Sequence, residues 1–107
     1  MNDGFKGTLI VGNGVTTIGG GAFKYCRGIT DVIIGTGVTS IYDYAFQYAT
    51  QLQSITINAT TPPKITSSTF VNMSRLTTIY VPAESLSAYQ SATSWKNHAS
   101  LIQAIPA

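Results

Sequence analysis

The chain has 107 residues, 9% of them charged, a formal charge of +2 and a single cysteine. That length fits one domain, 1-107, without room for a second; one cysteine excludes an internal disulfide, and six dispersed cations opposed by four acids supply no patch for nucleic acid. No apolar stretch approaches the roughly 18 residues of a membrane span, and the Thr-, Ser- and Ile-rich remainder suits half-buried pleated strands better than helix.

The opening MNDGFKG holds neither a basic segment followed by an apolar stretch, as an export signal would, nor an amphipathic capping element. Thr8 to Val11 reads as a strand whose outer edge is expected to be open. Two explanations compete: the chain is the C-terminal piece of a longer array, or its edge meets a partner chain. The first is favoured because exposed edges are usually covered.

From Gly14 onward the chain repeats itself. Gly14, Val15, Thr16, Ile18, Ala22, Phe23, Tyr25 and Ile34 recur 23 residues later as Gly37, Val38, Thr39, Ile41, Ala45, Phe46, Tyr48 and Ile57. Ile29 answers to Leu52, and Val32 to Ile55. A third copy follows at a spacing of 24, with Ile65, Phe70, Met73, Leu76, Ile79 and Val81 in the places of Ile41, Phe46, Ala49, Leu52, Ile55 and Ile57; a residue inserted near Thr60-Thr61-Pro62-Pro63 accounts for the longer step. Backwards, Leu9, Ile10 and Val11 align with Val32, Ile33 and Ile34 and supply half a repeat. A period of 20 to 29 residues with recurrent aliphatic positions marks a leucine-rich-repeat solenoid, here mostly β and with about three and a half repeats of 23-24 residues over 8-82.

One unit offers about six apolar side chains, worth about 1.5 to 3 kcal/mol each when buried. Ordering its backbone costs on the order of 1 to 2 kcal/mol per residue. A lone unit would therefore not fold, and stability must arise between stacked neighbours.

After Pro82 the period stops. Ala83 to Ala92 predicts a short helix with Glu84 in its first turn and Leu86 and Tyr89 on one face. This is the expected helical cap, 83-107, in which Trp95, Leu101 and Ile105 cover the last repeat.

The Val-Thr-Ser-Ile, Tyr-Ala-Phe and Leu-x-Ser-Ile-x-Ile runs resemble the BspA-like class of leucine-rich repeats, found in surface proteins of anaerobic bacteria. The resemblance implies a parallel strand on one side of each repeat, a second short strand or turn on the other, a cell-surface or secreted location and a role in binding or adhesion. It does not imply catalysis.

Candidate contact residues follow from alternation along each strand. Flanking aliphatics face inward, which leaves Ile10, Ile33, Thr56 and Tyr80 as an outward row, bordered by Thr8, Asp31, Ser54 and Thr78. Exposed contiguous apolar surface often marks interaction, although β-branched residues also simply suit sheets. Tyr42 and Tyr44 replace Gly19 and Gly21 of the preceding copy, turn positions where the repeat demands no ring; they are free for contact with a protein or glycan, or equally form a stacked pair that packs on its own neighbours. Tyr25 and Tyr48 recur at one repeat position and read as structural.

Other features read as structure. Gly12-Asn13-Gly14 and Gly19-Gly20-Gly21 lack the context of a phosphate loop and predict turns, with Gly14 and Gly37 expected at positive φ. Cys26 aligns with Ala49 and Met73, an interior slot. His98 is the single histidine, the four acids fall at distant repeat positions, and no metal, cofactor or catalytic set is implied. The sequons Asn58-Ala59-Thr60 and Asn72-Met73-Ser74 are chance matches in a Thr/Ser-rich chain.

The leading expectation is a non-catalytic binding module of a surface or secreted protein that recognises a host protein, a glycan or another cell. The alternative is an assembly subunit that pairs through its N-terminal strand edge.

Overall fold

The structure, a computed structural model, describes residues 6-106. The reading of the opening segment as too short to cap the first strand rests on residues 1-5, which lie outside the described residues.

Among the described residues seven strands form: β1 (Gly7–Val11), β2 (Thr17–Ile18), β3 (Ile29–Ile34), β4 (Ser40–Ile41), β5 (Ser54–Ile57), β6 (Thr78–Val81) and β7 (Ile102–Ala104). One five-stranded sheet runs β1-β3-β5-β6-β7, and β2 pairs with β4 in a second sheet. Every pairing is parallel. Such pairing requires a crossover between strands, and here each crossover is the remainder of a repeat. The third copy contributes to the smaller sheet only the bridge between Ser40 and Lys64, as expected of a repeat whose start is occupied by Pro62 and Pro63. The chain is a leucine-rich-repeat solenoid.

The core lies between the two sheets. Val32, Ile34, Leu52, Ile55, Ile57, Ile79 and Val81 are fully shielded, all at the positions that recur. A column of rings runs along the stacking axis: Phe23 to Phe46 at 5.5 Å, Phe46 to Phe70 at 6.4 Å, and Phe70 to Trp95 at 5.5 Å. The one phenylalanine of each repeat is thus continuous with the cap, and offset rings at these separations attract beyond their area burial.

The cap departs from expectation in its form. Ala83–Ser85 is a 3-10 turn that leads into helix α1 (Leu86–Ser91), and a second 3-10 segment covers Trp95–Leu101. Tyr89 and Trp95 are buried as expected; Leu101 and Ile105 are half-buried, and Ile102 takes the interior place in β7. This fifth strand was not expected. It follows from register, since Ile102 pairs with Ile79 and Ala104 with Val81, so the sheet gains one more strand on its C-terminal edge before the chain ends its path.

The recurrence of Gly14 and Gly37 has a cause other than the positive φ expected of them, which occurs instead at Gly7 and Gly21. At Gly37 an added Cβ would lie 2.2 Å from the Asn13 carbonyl oxygen, and at Gly35 2.4 Å from Asn13 Oδ1. Asn13 sits over both glycines, with its side-chain oxygen accepting from the Thr36 N–H at 2.9 Å. Close approach of successive turns requires Gly37, whereas Gly14, in the first turn, would meet nothing.

Candidate functional site

Register builds the outward row. Ile10 pairs with Ile33, Ile33 with Thr56, Thr56 with Tyr80, and Tyr80 with Gln103. The bordering column is Thr8, Asp31, Ser54 and Thr78. Strands in such a sheet lie about 4.8 Å apart, so each column is a close-set line of side chains. Exposure falls along the row: Ile10 is 70% exposed and Ile33 36%, while Thr56 and Tyr80 are half-buried. The apolar and accessible part of the face is therefore its N-terminal half.

Asp31 is tied into this face. Its carboxylate accepts from Ser54 Oγ at 2.7 Å and from Thr30 Oγ1 at 3.0 Å. The acid thus bridges β3 to β5 and fixes the hydroxyl column.

Tyr42 and Tyr44 lie elsewhere, in the turn that follows β4 of the smaller sheet. Both are exposed, at 50% and 44%. Tyr44 has φ 61°, the left-handed conformation that Gly21 adopts at the equivalent place with φ 65°. A tyrosine therefore occupies a backbone position that favours glycine. The structure does not bring these two rings together with the Ile10 row into one site.

The turn that precedes each long strand carries a second aromatic feature. Tyr25 and Tyr48 stack at 5.1 Å with planes 15° apart, and both are exposed. Lys24 Nζ and Arg27 Cζ lie 5.4 Å and 5.1 Å from the Tyr25 centroid. The recurrence of the position points to structure first, and the two rings do pack on one another. Asn72 serves the same place in the third copy, so the turn also forms without a ring.

The N-terminal end of the solenoid presents an apolar depression of about 320 Å³, lined by Leu9, Ile10, Val15, Ile18 and Phe23 among others. Val11 accepts from Gly35 N–H across to β3, so the peptide groups of Val11 and Leu9 face inward and those of Thr8 and Ile10 face away from the sheet. A more polar groove follows Thr60, Thr61 and Pro62, around the one-residue insertion, beside Thr36 and Thr39.

Cys26 is buried in the interior slot. His98 packs its ring edge-on to Phe70 at 5.5 Å, and burial holds its pKa below the usual histidine value. Among the described residues no group of three or more His, Cys, Asp or Glu lies together, and no helix is long and apolar enough to cross a membrane. The geometry offers surfaces for contact.

The family model described as "BspA type Leucine rich repeat region (6 copies)" matches residues 6–101. No curated protein matches the chain.

Proposed function

The chain belongs to the BspA-type leucine-rich repeat family, and from that premise we propose that it is a non-catalytic binding module of a cell-surface or secreted bacterial protein. It contacts a host protein, a glycan or another cell through the outward face of the five-stranded sheet, with the turn aromatics Tyr42 and Tyr44 as a further contact. The observation that carries this reading is the register of Ile10, Ile33, Thr56 and Tyr80. Interior positions stay aliphatic because stacking demands it; the outward row changes from Ile10 and Ile33 to Thr56 and Tyr80, and in solenoids the binding residues are those free of the stacking requirement.

Beads coated with the chain should adhere to cultured epithelial cells above albumin-coated beads, and Ile33→Glu should abolish the difference. Equal adhesion of the parent and albumin beads would refute the reading.

A second reading rests on the apolar depression and the outward peptide groups of Thr8 and Ile10. They suit an assembly contact in which β1 pairs with a strand of another chain. Light scattering over a concentration series, with Ile10→Pro removing an outward N–H, tests it. A dimer that Ile10→Pro abolishes supports assembly; a monomer at every concentration excludes it.

A further inference from the structure

Three successive turns, 24-28, 47-51 and 71-75, read KYCRG, QYATQ and VNMSR and contain neither Asp nor Glu. They stack in register: the Tyr25 N–H donates to the Gln47 carbonyl at 2.8 Å, and Gln47 Nε2 donates to Asn72 Oδ1 at 2.9 Å. Lys6 joins them, since the next residue, Gly7, donates its N–H to the Gly28 carbonyl at 3.0 Å. Lys6, Lys24, Arg27 and Arg75 are four of the six cations of the chain. The ridge thus gathers most of the positive charge of a charge-poor molecule, at its first and third turns and at Lys6, with an uncharged second turn between.

Its aromatic residues are held at a conformational cost that the fold does not require. Tyr25, Tyr48 and Asn72 all adopt the left-handed conformation, at φ 64°, 62° and 58°. That conformation favours glycine and asparagine, and the third turn shows that asparagine suffices. Two repeats nevertheless carry exposed tyrosine.

We infer that this ridge binds an acidic polysaccharide. Its carboxylate or sulfate groups meet Lys24, Arg27 and Arg75, and its hydroxyls meet the tyrosine hydroxyls and the amides of Gln47, Gln51 and Asn72. A neutral sugar or a nucleobase would call for an open ring face, but the Tyr25 ring is already engaged by Tyr48 and by two cationic groups. The Tyr25 ring instead holds Lys24 and Arg27 beside it. A linear polyanion long enough to span the uncharged second turn reaches from Lys24 and Arg27 to Arg75, with the polar groups of Gln47 and Gln51 between them. This surface is distinct from the Ile10 row, so either proposal can fail alone.

The test is biolayer interferometry on the immobilised full chain with heparin, polygalacturonate, dextran and a twenty-residue oligothymidylate. Heparin and polygalacturonate separate sulfate from carboxylate preference, and saturable binding to either supports the inference. Dextran should not bind, and the oligothymidylate should bind at least about tenfold more weakly than the preferred polysaccharide. Tyr48→Asn and Arg27→Ser place in earlier turns the residues that the third turn already tolerates. Each should weaken polysaccharide binding by about tenfold while the melting temperature is kept, whereas Lys96→Ser on the cap and Ile33→Glu on the sheet face should change it less than about twofold. Absence of binding to both acidic polymers, equal binding of the oligothymidylate, or full binding by Tyr48→Asn and Arg27→Ser would each overturn the inference.

Discussion

The Tyr89 hydroxyl, at the middle of α1, donates a 2.7 Å hydrogen bond to the carbonyl of Ala59, thirty residues earlier in the chain. Ser85 Oγ donates to the Thr60 carbonyl at 2.6 Å and Trp95 Nε1 to the Pro63 carbonyl at 2.7 Å. Carbonyls of one repeat accept from N–H groups of the next, as Thr16 does from Thr39 and Thr39 from Lys64. Among the described residues no further repeat follows the third, and these three cap side chains satisfy the carbonyls of its first turn instead.

Tyr89→Phe should therefore destabilise the chain by about 1 to 3 kcal/mol, because it leaves the Ala59 carbonyl buried without a donor. Urea unfolding monitored by circular dichroism measures this. Burial also pushes the Tyr89 hydroxyl pKa well above its ordinary value of 10.0. An acid whose pKa is raised in the folded state stabilises fully below its unfolded value and loses that contribution as pH rises beyond it. Stability should fall steeply above about pH 10 in the parent, and the alkaline slope should be smaller in Tyr89→Phe.

His98 sets the opposite limb. Burial lowers its pKa from the ordinary value of 6.5, so the unfolded chain takes up a proton at a pH where the folded chain does not. Stability should decline as pH falls below about 6.5. NMR titration of the ring should give a midpoint below that value, and His98→Gln should flatten the acid limb. A midpoint at or above the ordinary value would refute this.

Phe46 is the middle member of the ring column and is 1% exposed. Phe46→Ala opens a cavity between two repeats and should cost about 3 to 5 kcal/mol. Domains of this size commonly hold only about 5 to 15 kcal/mol in total. The variant should be largely unfolded well below the melting temperature of the parent, and near-ultraviolet circular dichroism of the buried Trp95 should report loss of the cap together with the repeats.

How much of this was legible in sequence depends on whether a residue answers to its own copy or to a neighbour. The pairing of Ile10, Ile33, Thr56 and Tyr80 could be read directly, because a 23- or 24-residue period fixes both register and facing. Strand β7 could not: Ile102–Ala104 lacks the turn residues and the ring of a repeat, and its place is set by the cap folding back on β6. The left-handed tyrosines were hidden for a related reason. Gly21 predicts such a conformation, but the tyrosine at its counterpart Tyr44 argues against it, and only the shared turn geometry forces both to adopt it. The separation of the candidate residues between the five-stranded sheet and the turn after β4 was likewise invisible, since alternation assigns a facing within one strand and says nothing about distance between strands of different sheets.

Tyr44→Gly places at this turn the residue found in the preceding repeat. The left-handed tyrosine costs on the order of 1 to 3 kcal/mol, and glycine returns roughly 0.5 to 1 kcal/mol of that as added freedom in the unfolded chain. The variant should be more stable than the parent by about 1 kcal/mol in urea unfolding. It should also adhere less well to cells if Tyr44 is part of the contact surface, which would show stability and binding drawing in opposite directions at one residue.

Gly14 and Gly37 occupy the same place in successive repeats, and their substitution should separate two causes that the sequence pattern merges. If the glycine were kept for its backbone conformation, alanine would be equally damaging at both. Close approach instead predicts asymmetry. Gly37→Ala drives a methyl group to 2.2 Å from the Asn13 carbonyl, which the stacked turn can relieve only by moving away and stretching the Thr36 to Asn13 hydrogen bond; a cost of about 1 to 3 kcal/mol is expected. Gly14→Ala meets nothing within 4 Å and should be neutral or stabilising by up to about 1 kcal/mol through the unfolded state. Urea midpoints of the two variants decide the matter: equal losses would refute the stacking account, and a loss confined to Gly37→Ala would show that the glycine is held by the turn above it.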